Sequence, residues 1–198
     1  IFGELLRGYS IEVMPRTAAK IEDFRALLPQ GTRVYIAHIE GTPIEDMVAT
    51  AKRLHDEGFA PMPHLPARAM TGAAQLDEWL ARYADVGVEQ ALLLAGGLAQ
   101  PYGDLDSSMK MMETGLFQKH GFRRLHVAGH PEGNKDIDAD GSSAVADAAL
   151  AWKQAFARET GVEMAIVTQF AFDAKPVVAW AERLRRAGIA LPVHIGTA

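Results

Sequence analysis

The sequence predicts an α/β fold and, within that class, a (β/α)8 TIM-type barrel that is incomplete at its C-terminal end. Three observations carry this. Short apolar runs alternate with longer amphipathic segments along all 198 residues. Glycine stands just past several of the amphipathic segments, at Gly58, Gly87, Gly121, Gly161 and Gly188, as it does after a last helical turn. The apolar runs read as nearly continuous, as strands of a covered parallel sheet do. Strands are predicted at Tyr9–Met14, Arg33–Ile39, Ala60–Leu65, Gln90–Ala95, Arg124–Ala128, Glu163–Phe170 and Ile189–Ile195. Helices are predicted at Ala18–Leu28, Pro43–Glu57, Gln75–Val86, Leu105–His120, Ser142–Thr160 and Pro176–Ala187, with Pro43 suited to a first turn. A full barrel takes about 250 residues, so this length and strand count fit a barrel without its last strand and helices. A doubly wound sheet is the alternative, but Pro15-Arg16-Thr17 follows the first strand in place of a G-x-G-x-x-G turn. Residues 1–198 are expected to form one domain.

Composition excludes several function classes. Twenty Lys and Arg against 25 Asp and Glu give a net charge of −5, and no basic run occurs, so no nucleic-acid partner is expected. Without cysteine there are no disulfides, no thiolate nucleophile and no Cys-ligated zinc, which fits a cytoplasmic protein. The longest uncharged apolar stretch, Ala91–Ala99, is far below the roughly 18 residues of a membrane span. The chain begins at Ile1, so its natural start is expected to lie upstream, and no signal peptide is visible.

Barrel active sites lie at the C-terminal ends of the strands. Glu12 stands among apolar neighbours on the first strand, where an ionised carboxylate is costly to bury alone. It is either a structural salt bridge, to Arg7 or Arg16, or a perturbed functional carboxylate. His38, His64, His130 and His194 recur at strand ends, where they pack, contact a ligand or, in a hydrolase-like barrel, bind a metal. No residue is assigned as a metal ligand. Gln169, flanked by Phe170 and Phe172, suits a planar hydrogen-bonding ring, or belongs to an aromatic cap with Asp173 as the next helix's N-cap. Gly96-Gly97 permits close backbone approach to a ligand or a tight turn.

Five short segments, in order, resemble the methylenetetrahydrofolate reductase family. Ser10-Ile11-Glu12-Val13-Met14-Pro15 is similar to the family's S-F-E-F-F-P, Pro63-His64-Leu65 to its P-H-L-T, and Leu94-Ala95-Gly96-Gly97 falls where it has L-R-G-D. Val127-Ala128-Gly129-His130-Pro131-Glu132 resembles A-A-Y-P-E, and Thr168-Gln169-Phe170-Ala171-Phe172-Asp173 resembles T-Q-F-F-F-D. The resemblance implies an oxidoreductase that binds FAD and reduces methylenetetrahydrofolate with hydride from NADH or NADPH. It implies Glu12 as a general acid held neutral, Gln169, Phe170 and Phe172 at the folate, and His64, Ala95, Gly96, Gly97, His130 and Lys153 at the flavin.

The departures from the family fall on the flavin side: Ala37 replaces a threonine, Ala95 and Gly97 replace its charged pair, His130 a tyrosine, and Asn134 a histidine. Asp104, Asp106, His130 and Lys153 are candidates to take over that site. Three readings follow: a reductase with a divergent flavin site, a folate-binding relative without reductase chemistry, and a metal-dependent barrel hydrolase. The expected partners are small molecules, a folate and a nicotinamide cofactor, with self-association left open.

Overall fold

The computed structural model of the chain describes residues 8–197. Their packing separates into two compact units, the first running to Arg123 and the second starting at Arg124. The first holds β1 (Ser10–Val13), β2 (Arg33–Ile36), β3 (Ala60–Pro66) and β4 (Gln90–Leu94), with helices α1 (Pro15–Ala18), α2 (Ile44–Asp56), α3 (Ala73–Asp85), α4 (Ser108–Glu113) and α5 (Leu116–Lys119). The second holds β5 (Arg124–Gly129), β6 (Glu163–Phe170) and β7 (Val193–Gly196), with α6 (Ala144–Thr160) and α7 (Ala174–Arg186). Within each unit the strands are parallel and follow chain order. Right-handed crossovers taken always in one direction put a unit's helices on one face of its sheet, as in successive βα units of a TIM-type barrel. A doubly wound sheet would reverse direction at a switch point. The α/β class and the parallel succession agree with the sequence reading.

Strand register sorts the first sheet into two faces. Val13 and Ile36 are partners, as are Val34 and Pro61, and Leu65 and Leu93, so these side chains share one face. Val34, Ile36, Leu65 and Leu93 are fully buried there, and α2 brings Met47, Ala51 and Leu54 to the core. Glu12 pairs with Tyr35, Tyr35 with Met62, and His64 with Leu92 on the other face, which also carries Ser10, Arg33 and Gln90. Arg33 Nε donates to Gln90 Oε1 at 3.3 Å across that face. Prolines inside β3 are tolerated because of their parity. Ala60 N donates to Thr32 O on the β2 side, so the missing amides of Pro61 and Pro63 belong to the β4 side. Pairing of β3 with β4 accordingly begins at His64 and Leu92.

Three predicted elements are corrected. The helix expected at Ala18–Leu28 is instead α1, closed by mutual bonds between Met14 and Thr17, followed by a 3-10 turn at Phe24–Ala26. The cause is tertiary: the Arg53 guanidinium takes the carbonyls of Ala18, Ile21 and Glu22, which a continuing helix would use for its own amides. The helix expected at Leu105–His120 splits into α4 and α5 because Gly115 adopts φ +72°. The strand expected at Ile189–Ile195 begins only at Val193. Ile189 N bonds Leu184 O, Ala190 N bonds the Gln154 side chain, and Pro192 has no amide to give.

Tyr83 on α3 is fully buried, and among the described residues its hydroxyl has no hydrogen-bond partner. Burial alone pushes its pKa up. An unpaired buried hydroxyl costs about 1–3 kcal/mol, so Tyr83→Phe is expected to stabilise the protein by roughly 1 kcal/mol in urea unfolding. A loss of stability would reveal an acceptor for that hydroxyl.

Candidate functional site

In the first unit, Glu12 near the end of β1 and His64 near the end of β3 meet on the polar face. His64 Nε2 lies 3.3 Å from Glu12 Oε2. The His64 side chain is 12% exposed and that of Glu12 is 55% exposed, so the imidazole is seated while the carboxylate reaches into solvent. The contact is close enough for electrostatic coupling but poorly directed as a hydrogen bond, and by hydrogen-bond geometry the buried Nε2 is left unsatisfied among the described residues. Tyr35, register partner of Glu12, stands edge-on to His64 with ring centroids 6.2 Å apart. Burial raises the Tyr35 phenol's pKa, against opposing effects of Arg33 and Ser10. His38, just past β2, lies tilted against Trp79 at 5.6 Å, and burial followed by repulsion from His64 lowers its pKa.

These facts revise the reading of Glu12. Its partner is His64; among the described residues Arg16 makes no ion pair, and Arg7 lies outside them. The His64 contact outweighs burial and holds the Glu12 carboxyl below its ordinary value of 4.5. The neutral acid implied by the family resemblance is therefore disfavoured; Glu12 is an anion at neutral pH. The stability this contact lends is present above about pH 4.5 and fades as pH falls through the lowered value. Removing the imidazole leaves burial as the dominant influence. In His64→Ala the Glu12 pKa is thus expected to rise past its ordinary value, and carbon-detected NMR titration of the carboxyl reads this directly. An unchanged pKa would show that His64 does not act on Glu12.

The glycine pair follows β4. Ala95 O accepts Arg68 N at 2.8 Å, and Gly96 has φ +93° with Pro66 only 3.2 Å from where a Cβ would sit, so this turn requires glycine. A Cβ added at Gly97 would meet nothing within 4 Å. Ala37, just past β2, is buried and bonds Val13 O. Asp106 pairs with Lys110, and Asp104 offers its carbonyl to the same ammonium.

In the second unit, Thr168 Oγ1 accepts Gly196 N and donates to Gln169 O, both at 2.9 Å. The β6–β7 register slips between Val167 and Phe170 at this point. The irregularity turns Gln169 and Phe170 outward, as bulges near functional sites do. Phe170 and Phe172 are 61% and 89% exposed and stacked, with centroids 6.5 Å apart and an interplanar angle of 22°. Asp173 accepts Lys175 N and caps α7, as its sequence position suggests. His126 and His194 lie on one face of this sheet, His126 level with Ala165 and His194 with Val167, with ring centroids 5.1 Å apart.

Lys153 on α6 is buried, and His130, just past β5, is partly buried and feels its charge. Asn134 builds the turn that follows, accepting the amides of Ile137 and Asp138 at its carbonyl and of Asp136 at its side chain. Asp136, Asp138 and Asp140 alternate before Gly141, a spacing used by cation-binding loops. Here the Asp138 carboxylate instead accepts Val145 N and Ala146 N and anchors the start of α6. Among the described residues no group of three or more His, Asp or Glu is placed to hold a metal ion, so the hydrolase reading finds no ligand set there. No helix among them is long and apolar enough to cross a membrane.

No protein-family model matches the chain. One solved structure similar to it is the catalytic domain of a mannanase from Streptomyces sp. SirexAA-E, with a TM-score of 0.49 and 14% identity over 84% of this chain. The chain spans 57% of that structure's length. The methylenetetrahydrofolate reductase assignment, and with it the oxidoreductase class, is overturned. No model of that family, or of any other, answers to the sequence. The five matched segments are strand ends of three to six residues, and parallel α/β proteins of many families end apolar strands on a polar residue, a glycine or a proline.

Proposed function

We propose that this chain is a (β/α)-barrel enzyme that performs general acid–base chemistry on a small polar substrate at the C-terminal edge of its first unit. The observation that carries this is the 3.3 Å contact between Glu12 and His64, with the buried Nε2 lacking any directed partner. A carboxylate kept anionic accepts a proton, and an imidazole beside it relays that proton or donates its own. Half-exposed Glu12 is reachable from solvent, while His64, braced by the Tyr35 ring, is held in place. A cysteine-free chain of this kind suits the cytoplasm. The test is a turnover screen of the full-length protein against nitrophenyl esters and glycosides and for α-proton exchange of keto acids in heavy water. Glu12→Gln and His64→Ala should each lower the rate found by about 10²–10⁴. Activity retained within a few-fold in both variants would place the chemistry elsewhere.

A second reading concerns the other unit alone. The stacked, exposed rings of Phe170 and Phe172 beside Gln169 support binding of a planar heterocycle without turnover. A reduced folate and FAD are suitable probes in equilibrium dialysis. Phe170→Ala should weaken either by roughly tenfold or less, the worth of one aromatic stacking contact. Equal affinity in parent and variant would remove the rings from any site.

A further inference from the structure

The connection from β4 to α4, residues 95–107, carries no helix or strand. Such connections in α/β units usually take about 2–6 residues, and one longer than about 12 is commonly an active-site lid or a binding loop. Both ends of this one are fixed. Arg68, just past β3, donates its amide to Ala95 O at 2.8 Å. At the far end Leu105 is buried, Arg68 Nε donates to Asp106 O at 3.3 Å, and Lys110 holds the Asp106 carboxylate at 2.7 Å. Gly103 there lies so close to the Thr71 carbonyl that a Cβ would not fit. The middle is exposed at Gly97, Ala99, Gln100 and Tyr102. Arg68 Nη1 donates to Leu98 O at 3.1 Å, Tyr102 N donates to Arg68 O at 2.9 Å, and Tyr102 Oη donates to Glu40 Oε1 at 2.6 Å.

Glu40 belongs to the connection that follows β2. Because β3 lies between β2 and β4, the Tyr102–Glu40 bond closes a bridge across the C-terminal end of β3. His64 stands two residues short of that end, at Pro66, and its Nε2 is buried. We propose that residues 97–102 are a strap that shuts over His64, is latched by Tyr102 on Glu40, and swings open to admit substrate. The strap rests on the acid–base reading of Glu12 and His64 and adds the control of access to that pair. It shields the imidazole, while Glu12 stays half exposed as the way in for protons. Gly96, at φ +93°, lets the chain turn at the near root. The latch is a single exposed hydrogen bond, worth a factor of about ten or less in the balance of open and shut forms, so closure is readily reversed.

Diethyl pyrocarbonate on the full-length protein, followed by peptide mapping, reads the opening, because it acylates a neutral imidazole only where it reaches a ring nitrogen. His55, half exposed, is the open reference, and His126, 2% exposed, reports loss of core packing. Tyr102→Phe and Glu40→Gln should each speed acylation of His64 by about three- to tenfold and leave His55 and His126 unchanged. The cysteine-free chain permits the opposite perturbation. Tyr102→Cys with Glu40→Cys, joined by a flexible bismaleimide, should slow acylation of His64 by about tenfold or more. Equal His64 rates in the parent, the latch variants and the cross-linked protein overturn the strap. So does acylation of His64 that keeps pace with His126, which would make unfolding the way in. Turnover plays no part in this readout. Loss of the strap therefore leaves the Glu12–His64 assignment standing, and loss of that assignment leaves the strap.

Discussion

Replacing Lys153 with methionine is expected to stabilise the protein by about 3 kcal/mol at pH 7. Burial lowers the amine's pKa from 10.5 to about 8. Each tenfold loss of proton affinity corresponds to about 1.4 kcal/mol, so carrying the charge into the folded state costs roughly 3 kcal/mol. The sign follows from proton binding. Below pH 8 both states hold the proton and the full cost is present. Between about pH 8 and 10.5 the unfolded chain binds more protons than the folded one, so parent stability rises with pH. Above that window the cost is gone. Methionine matches the stem in length and removes the charge, so the variant should show no such rise. Urea unfolding of both proteins at pH 7, 9 and 10.5 reads the difference. Parallel pH curves, or a destabilised variant, would mean that the ammonium has a counter-charge in the folded protein.

Arg53→Met is expected to cost about 3 kcal/mol. The guanidinium donates to the carbonyls of Ala18, Ile21 and Glu22, pairs with Glu57 at 2.7 Å and lies 5.1 Å from the Phe24 ring centroid. Glu57 in turn accepts Phe24 N, so one ion pair fixes the whole crossing from β1 toward β2. Each hydrogen bond to a charged group is worth about 1.5–3 kcal/mol, but bonds sharing one side chain do not add fully. Arg53→Lys should recover less than half of the loss, because a single ammonium cannot replace the planar fork. Denaturant midpoints of parent and both variants check this. A lysine variant as stable as the parent would reduce the clamp to a simple charge contact.

Much of the scaffold was legible because local chemistry specifies it. Gly161 ends α6 in the left-handed conformation, and Asp173 caps α7. The β5 and β6 assignments agree with the structure to within a residue. Where local and long-range bonding compete, sequence reading failed. The Ala18–Leu28 segment has helical patterning, yet Arg53, distant in sequence, captures its carbonyls. Short strand-end motifs misled for a related reason, since they report that a strand ends and not what it faces.

The candidate site was half visible. Glu12 stood out as a carboxylate on an apolar strand, and His64 as an imidazole in another. Their neighbour Tyr35 was missed, although Ser10 with Glu12 and Arg33 with Tyr35 repeat with the two-residue period of one sheet face. By itself the sequence determined the α/β succession, its turns and caps, and which residue types were available for proton chemistry, because these depend on bonds within a few residues. Only the tertiary structure decided that Glu12 meets His64, that the β6–β7 register slip exposes Gln169 and Phe170, and that Lys153 is buried without a counter-charge among the described residues. Each depends on strand register or helix packing between residues far apart in the chain, and protonation state follows from that placement.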